Sequence, residues 1–281
     1  MVQENEQIKI QFFASGYCFS NQRIVNPTKK RAHIKFYAVW ALIKIPNVGY
    51  VMFDSGYSHH FHNETKKFPD RLYRWATPVF LEENETAVSL LASHNIEPSE
   101  IKFIVISHFH GDHIAGLKDF PNAKLICTES ALFEVQQKEG FAAVRKGILK
   151  GLLPKDFYAR VSILEHCCDD SYTDEFGLLH YKLFNQSELE FVLLEGHARG
   201  QIGFIYKSEN QHLVFATDAA WDYEAFENQI PPMKVVKIFI DSWRKLIDTQ
   251  EKLRKYKVAN PNAEMLFTHC PKTLSYLSNH V

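Results

Sequence analysis

The apolar positions of this chain fall into short runs separated by polar, turn-rich stretches. Ile8-Lys9-Ile10-Gln11-Phe12-Phe13 predicts a first strand, and the polar stretch from Gly16 to Arg31 predicts irregular chain. Phe36 to Ile45 and Val48 to Phe53 predict two strands joined by the turn pair Pro46-Asn47. Glu83 to Asn95 places Ala87, Leu90 and Leu91 on one face and predicts a helix, with Asn84 as its cap. Further strands are predicted at Ile101 to Ile106, Lys124 to Cys127 and Val161 to Leu164. Glu190 to Leu194, Phe204 to Tyr206, Leu213 to Ala216 and Glu264 to Thr268 predict the rest. Helices are predicted at Ile114 to Leu117, Glu129 to Lys138 and Trp243 to Tyr256, and a polar loop holding Cys167 and Cys168. Both halves alternate strands with helices, which points to an α/β chain of two sheet-plus-helix layers packed face to face.

Two stretches break the alternation. Tyr57 to Leu81 is rich in aromatic and basic residues and has no clean period. A lid or binding loop and a surface helix with aromatic anchors both fit it. Phe141 to Lys155 sets Gly147, Gly151 and Pro154 among apolar residues, which fits a broken helix near a site or packed core. We read residues 1–281 as a single domain with lid or pocket insertions at 57–81 and 139–160.

The chemistry concentrates in Ser107-His108-Phe109-His110-Gly111-Asp112-His113, directly after a predicted buried strand. In extended chain, residues two apart share a side, so His108 and His110 can point the same way. Imidazole and carboxylate suit zinc and its first-row neighbours. His197, Asp218 and His269 also stand at or just after the ends of apolar strands, where a rigid sheet can hold them. The expected grouping is His108, His110 and His197 on one ion and Asp112, His113 and His269 on another, with Asp218 bridging. Two such ions about 3.5–4 Å apart can hold a hydroxide at neutral pH. His59, His60 and His62 have poorer partners and are set aside.

Composition narrows the function. The chain has 281 residues, 46% of them hydrophobic, with 32 basic and 33 acidic side chains. That balance lacks the basic excess of a dedicated nucleic-acid binder. No apolar run approaches the roughly 20 residues that span a bilayer, and Met1 to Gln7 carries no apolar signal core. The five cysteines are an odd number, which favours reduced thiols. A cytoplasmic protein is expected, with no nucleic-acid partner and no membrane contact; a homodimer is compatible.

His108-Phe109-His110-Gly111-Asp112-His113 resembles the H-x-H-x-D-H signature of the metallo-β-lactamase-fold hydrolases. Asp54-Ser55-Gly56, Gly196-His197, Asp218 and His269 match that family's other motifs in order. The resemblance implies a four-layer αββα sandwich with two divalent metal ions between the sheets. Zinc is the first expectation, with manganese, iron and cobalt as alternatives. It also implies that Asp54 orients a ligand histidine. Among the branches, the N-acyl-homoserine lactonases are most similar in size, in the late final histidine and in Asp218-Ala219-Ala220. Two positions depart: Gln201 replaces a second histidine, and Trp221 stands where lactonases carry a tyrosine.

The expected activity is hydrolysis of a lactone or related carboxylic ester by a metal-bridging hydroxide. Asp112 would pass a proton to the leaving alkoxide. Tyr223 would stand in for the missing tyrosine, and Phe109 and Trp221 would contact a small-molecule substrate. Phosphodiester hydrolysis by the same ions, with Lys66, Lys67, Arg71 and Arg74 around the pocket, is the alternative. Metal binding without catalysis comes last, because all seven ligands are present.

Overall fold

The computed structural model describes residues 7–278, so Met1 to Glu6 of the amino-terminal reading lie outside the described residues. Two mixed sheets form the centre. The first contains β1 (Lys9–Asn21), β2 (His33–Ile45), β3 (Gly49–Phe53), β4 (Val79–Phe80), β5 (Ile101–Val105), β6 (Lys124–Cys127) and β7 (Val161–Ile163). Its order is β4-β1-β2-β3-β5-β6-β7, with β3, β5, β6 and β7 parallel. The second contains β8 (Asp170–Thr173), β9 (Leu179–Lys182), β10 (Leu189–Leu193), β11 (Ile202–Lys207), β12 (His212–Phe215) and β13 (Glu264–Leu266), in the order β13-β12-β11-β10-β9-β8.

Three apolar layers hold the sandwich together. Between the sheets, Phe12, Phe53, Phe191, Phe204 and Phe215 interdigitate, with edge-to-face ring pairs such as Phe53–Phe204 at 5.1 Å. On the outer face of the first sheet, Trp40, Met52 and Leu125 share one core with Leu91 of helix Ala87–Ser93. On the outer face of the second, Val192, Val214 and Met265 pack with Leu253 and Tyr256 of helix Trp243–Ala259. The four-layer α/β sandwich expected from the alternation is therefore the observed architecture.

Three local readings are corrected, and one left open is resolved. β1 runs on to Asn21 through the stretch expected to be irregular, because Tyr17 to Asn21 pair with Tyr37 to His33 beyond a bulge at Ala14. The residue exposed there is the apolar Phe19, and the half-buried Ser20 and Asn21 follow it, so no inward-apolar, outward-polar alternation marks the strand. The expected loop around Cys167 and Cys168 contains the β8–β9 hairpin, whose four β8 residues are all exposed. Helix Ala87–Ser93 is capped by Thr86, whose hydroxyl accepts from the Ser89 N–H at 3.2 Å, and not by Asn84. Residues 57–81 hold two short helices, His59–Glu64 and Arg71–Ala76, and the strand β4.

Candidate metal centre

All the strand ends that carry histidine or aspartate candidates open at one edge of the sandwich. β3 ends in Asp54, whose backbone takes a left-handed φ of 65°. That turn aims both carboxylate oxygens at the end of β5. Oδ1 accepts the Ser107 N–H at 2.7 Å and Oδ2 lies 2.7 Å from His113 Nδ1. Both partners are fully buried, so His113 is held with Nε2 turned toward the cluster. His269 is fixed in the same way by the Tyr37 carbonyl, 2.8 Å from its Nδ1, and by Phe36 stacked on its ring at 4.8 Å.

Glycines let the other ligands approach. A Cβ at Gly147 would stand 2.4 Å from the His110 ring, and Gly147 has a φ of 73°. A Cβ on Gly196 would meet the Leu246 backbone at 2.2 Å, so only glycine allows the His197 turn to sit against helix Trp243–Ala259. The Ser242 and Asp241 N–H groups then donate to the Gly196 and His197 carbonyls.

The result is two groups of side chains whose donor atoms lie within 4.8 Å of one another: His108, His110, His197 and Asp218, and Asp112, His113, Asp218 and His269. Asp218 belongs to both. Its Oδ2 is 3.2 Å from His197 Nε2, 3.4 Å from His269 Nε2, 3.7 Å from His113 Nε2 and 3.9 Å from His108 Nε2. Asp112 Oδ2 is 3.1 Å from His269 Nε2 and 3.3 Å from His113 Nε2. His108 Nε2, His113 Nε2 and Asp218 Oδ1 are buried and find no hydrogen-bond partner among the described residues. Buried polar atoms are rarely left so, and donor atoms converging from five imidazoles and two carboxylates suit divalent cations.

The electrostatics agree. Burial, reinforced by the neighbouring His113, holds the His108 imidazole well below its usual range; burial and His197 take His110 down to about 3. Both rings are therefore neutral ligands at any physiological pH. Burial opposes the charge on Asp112 and Asp218, but adjacent histidines outweigh it and keep both carboxyls well below the usual range. Burial also works against protons on His113 and His269, yet Asp112 and Asp54 raise the first, and Asp218 and Asp112 lift the second to about 10. The carboxylates favour positive charge here, which is the charge a divalent cation would supply.

The centre forms the floor of a cavity of about 710 Å³. Trp221 forms one wall, 5.3 Å from the His197 ring and edge-on to it. Tyr223 does not line this cavity. It starts helix Tyr223–Glu227, its hydroxyl is 3.4 Å from Glu227 and Lys272 lies over its ring, so the expected substrate role is not met. Phe109 is also absent from the wall. Side chains alternate along the strand end, which sends Phe109 away from His108 and His110 into the core against Phe157 at 5.8 Å. His60 pairs with Asp119 at 2.7 Å and takes no part in the centre. Gln201 is fully buried and donates to the Thr217 hydroxyl at 3.0 Å, tying one ligand-bearing turn to another.

Tyr57, Tyr73 and Arg145 come from the two stretches expected to be pocket insertions, whereas Cys18, Ile24, Val236 and Ile240 line the cavity with no signal in the sequence. Tyr57 and Tyr73 lie in the aperiodic aromatic segment, which was their only signal. Burial, with Asp112 nearby, pushes the Cys18 thiol up to about 12, so it stays protonated and does not compete for metal. A second cavity, of about 790 Å³, lies along helix Trp243–Ala259 and holds none of the ligand residues.

Residues 36–260 match the profile of the Metallo-beta-lactamase superfamily. The chain belongs to that superfamily. Among curated proteins, the N-acyl homoserine lactonase AiiA of Bacillus thuringiensis subsp. kurstaki is 23% identical over 229 residues, covering 79% of this chain and 80% of the relative. Two solved structures share its fold. An N-acyl homoserine lactone hydrolase with the product N-hexanoyl-L-homoserine at its catalytic metal centre aligns with a TM-score of 0.69, 17% identity and 95% coverage of each chain. AidC, a dizinc quorum-quenching lactonase, aligns with a TM-score of 0.64 and 17% identity, covering 94% of this chain and 88% of its own.

Proposed function

We infer that this chain is a binuclear metal-dependent hydrolase that opens a lactone, or a related carboxylic ester, carrying a lipophilic acyl group. The observation that carries the reading is Asp218. One buried carboxylate oxygen lies 3.2 to 3.9 Å from imidazoles of both ligand groups, the arrangement two cations sharing a ligand require. His108, His110 and His197 would hold one ion, Asp112, His113 and His269 the other, and Asp218 both. Bound there, divalent ions, zinc first among them, would supply Lewis acidity and make water nucleophilic at neutral pH.

The protein's own groups do the rest. Asp112 is ionised, next to His269 and at the cavity wall, so it can take a proton at Oδ2 and give it to the departing alkoxide. Burial, with Cys18 and Asp112 close by, raises the Tyr57 and Tyr73 phenols well above their usual range; both remain protonated donors facing the chamber. Phe36, Leu72, Val144, Val236 and Ile240 present apolar surface to an acyl chain and exclude water. Relatives called N-acyl homoserine lactonases support the lactone. Phosphodiester hydrolysis has less support, since Lys66, Lys67, Arg71 and Arg74 do not line the chamber.

The test is hydrolysis of a panel of acyl-homoserine lactones, γ-lactones and aryl esters by zinc-loaded protein of measured metal content. Asp112→Asn is expected to keep part of the metal and lose more than about a hundredfold in kcat. Full metal occupancy with no turnover of any ester or lactone would refute the assignment.

A further inference from the structure

The near-neutral chain hides a strong local charge. Segments 19–35, 66–80, 141–146 and 233–240 contain thirteen lysines and arginines and one acid, Asp70. Everything outside them holds nineteen basic and thirty-two acidic residues. Two of the thirteen cations are ion-paired, Lys29 with Glu224 and Lys146 with Asp241. The other eleven have no carboxylate within 4.0 Å among the described residues.

These four segments close a ring around the chamber mouth. Phe19 meets Phe80 edge-on at 5.3 Å, joining the first segment to the second. Helices Arg71–Ala76 and Gly140–Arg145 pack side by side, joining the second to the third. The Lys146 ammonium donates to the Ile240 carbonyl at 3.2 Å, and the Met233 N–H to the Ile24 carbonyl at 2.8 Å, completing the circuit. Each segment also contributes side chains to the chamber wall.

The same ring carries most of the exposed apolar surface. Of thirteen large apolar side chains exposed among the described residues, nine stand in these segments, between 41% and 67% exposed. Phe68 and Trp75 pair edge-on at 5.4 Å on one side, and Phe141, Ile238 and Phe239 project on the other. Cations lie over the aromatics, Arg71 over Trp75 at 4.8 Å and Lys35 over Tyr17 at 4.2 Å. Their stems share the apolar surface while their charges reach outward.

We propose that this rim docks on an anionic membrane surface, with the chamber mouth facing the bilayer. Aromatic and aliphatic side chains that enter the headgroup boundary, interleaved with lysine and arginine for acidic lipids, are the chemistry of interfacial binding. A second copy of the chain fits poorly, because a two-fold interface pairs a patch with itself and would oppose eleven unpaired cations to eleven. Nucleic acid would satisfy the cations and leave Phe141, Ile238 and Phe239 without a partner. Docked this way, the chamber opens toward the phase in which an apolar ester dissolves. The absence of a long apolar run does not bear on this, since spanning and lying on a bilayer have different sequence requirements.

The test is flotation of zinc-loaded protein with vesicles of phosphatidylcholine alone or mixed with phosphatidylglycerol. Binding to the mixed vesicles is expected to be at least about tenfold tighter, to weaken at high salt, and to shift the exposed Trp75 emission to the blue. Lys234→Glu with Lys237→Glu should weaken binding about tenfold or more, and Phe68→Ser with Ile238→Ser should remove the emission shift; all four positions are exposed, and circular dichroism verifies their folding. Equal retention on both vesicles, or on neither, overturns the proposal. So does tighter binding to an oligonucleotide than to the anionic vesicles, or a dimer that Phe68→Ser with Ile238→Ser converts to monomer. No substrate is used, so the outcome stands apart from whether the protein hydrolyses lactones.

Discussion

Replacing Asp54 by asparagine would test whether the metal centre depends on a residue that touches no metal. Asp54 accepts two hydrogen bonds of 2.7 Å, from the Ser107 N–H and from His113 Nδ1, in a fully buried position. Asparagine can keep the first through its carbonyl oxygen. Its amide then faces His113 Nδ1 with a donor, and the ring must move its remaining proton to Nε2, the atom turned toward Asp112 and Asp218. Two consequences follow in different measurements. Without metal, a buried carboxylate–imidazolium pair is lost while one hydrogen bond survives, costing about 3 kcal/mol. Spread over 281 residues, that lowers Tm by about 5 °C. With metal, the ion held by Asp112, His113 and His269 should weaken by about 10- to 100-fold, or about 1.4 to 2.8 kcal/mol. Dialysis against graded chelator with metal analysis should then find one tightly held ion where the unaltered protein holds two. Two ions retained with unchanged chelator resistance would refute the claim that Asp54 sets the His113 tautomer.

Gly147→Ala should displace the His110 ring, since its Cβ would fall 2.4 Å from Cδ2 at a left-handed φ; the expected result is at least about a tenfold loss of affinity for the ion on His108, His110 and His197, read by competition with a chromogenic chelator. Gln201→Leu removes the bond to the Thr217 hydroxyl at the Asp218 turn and should cost about 1 to 3 kcal/mol of stability by denaturant titration, while Gln201→His with a retained hydrogen bond should cost less. His180 sits between Glu190 at 2.8 Å and Asp174 at 3.1 Å on the second sheet. Burial alone would lower this imidazole, but the two carboxylates raise it above its usual value. A raised folded pKa gives stability that is full below about pH 6.5 and lost as pH rises through the folded value. The Tm difference between the unaltered protein and His180→Gln should therefore shrink from pH 6 to pH 9, and a constant difference would contradict the pairing.

The seven ligand candidates were legible because their positions depend on short-range rules. Period two puts His108 and His110 on one side, and buried strands announce where their ends will be. Strand-end placement brought His197, Asp218 and His269 to the same edge without any knowledge of the packing. Tyr223 and Phe109 failed for the complementary reason. Which way a side chain leaves a short helix or a strand end depends on one residue of register, and at both positions the register points away from the chamber. The β8–β9 hairpin escaped notice because an edge hairpin with an exposed strand carries no apolar alternation.

The sequence by itself determined the layered α/β architecture and the donor set, since both arise from local periodicity and residue chemistry. Tertiary structure alone decided what surrounds them. The chamber is assembled from segments as far apart as Cys18, Tyr73, Arg145 and Ile240, whose meeting is fixed by long-range packing between helices and sheet edges. The charged rim has the same origin. In sequence its cations are diluted in a chain with a net charge of −1, and only the closure of four distant segments into one ring concentrates them on a single face.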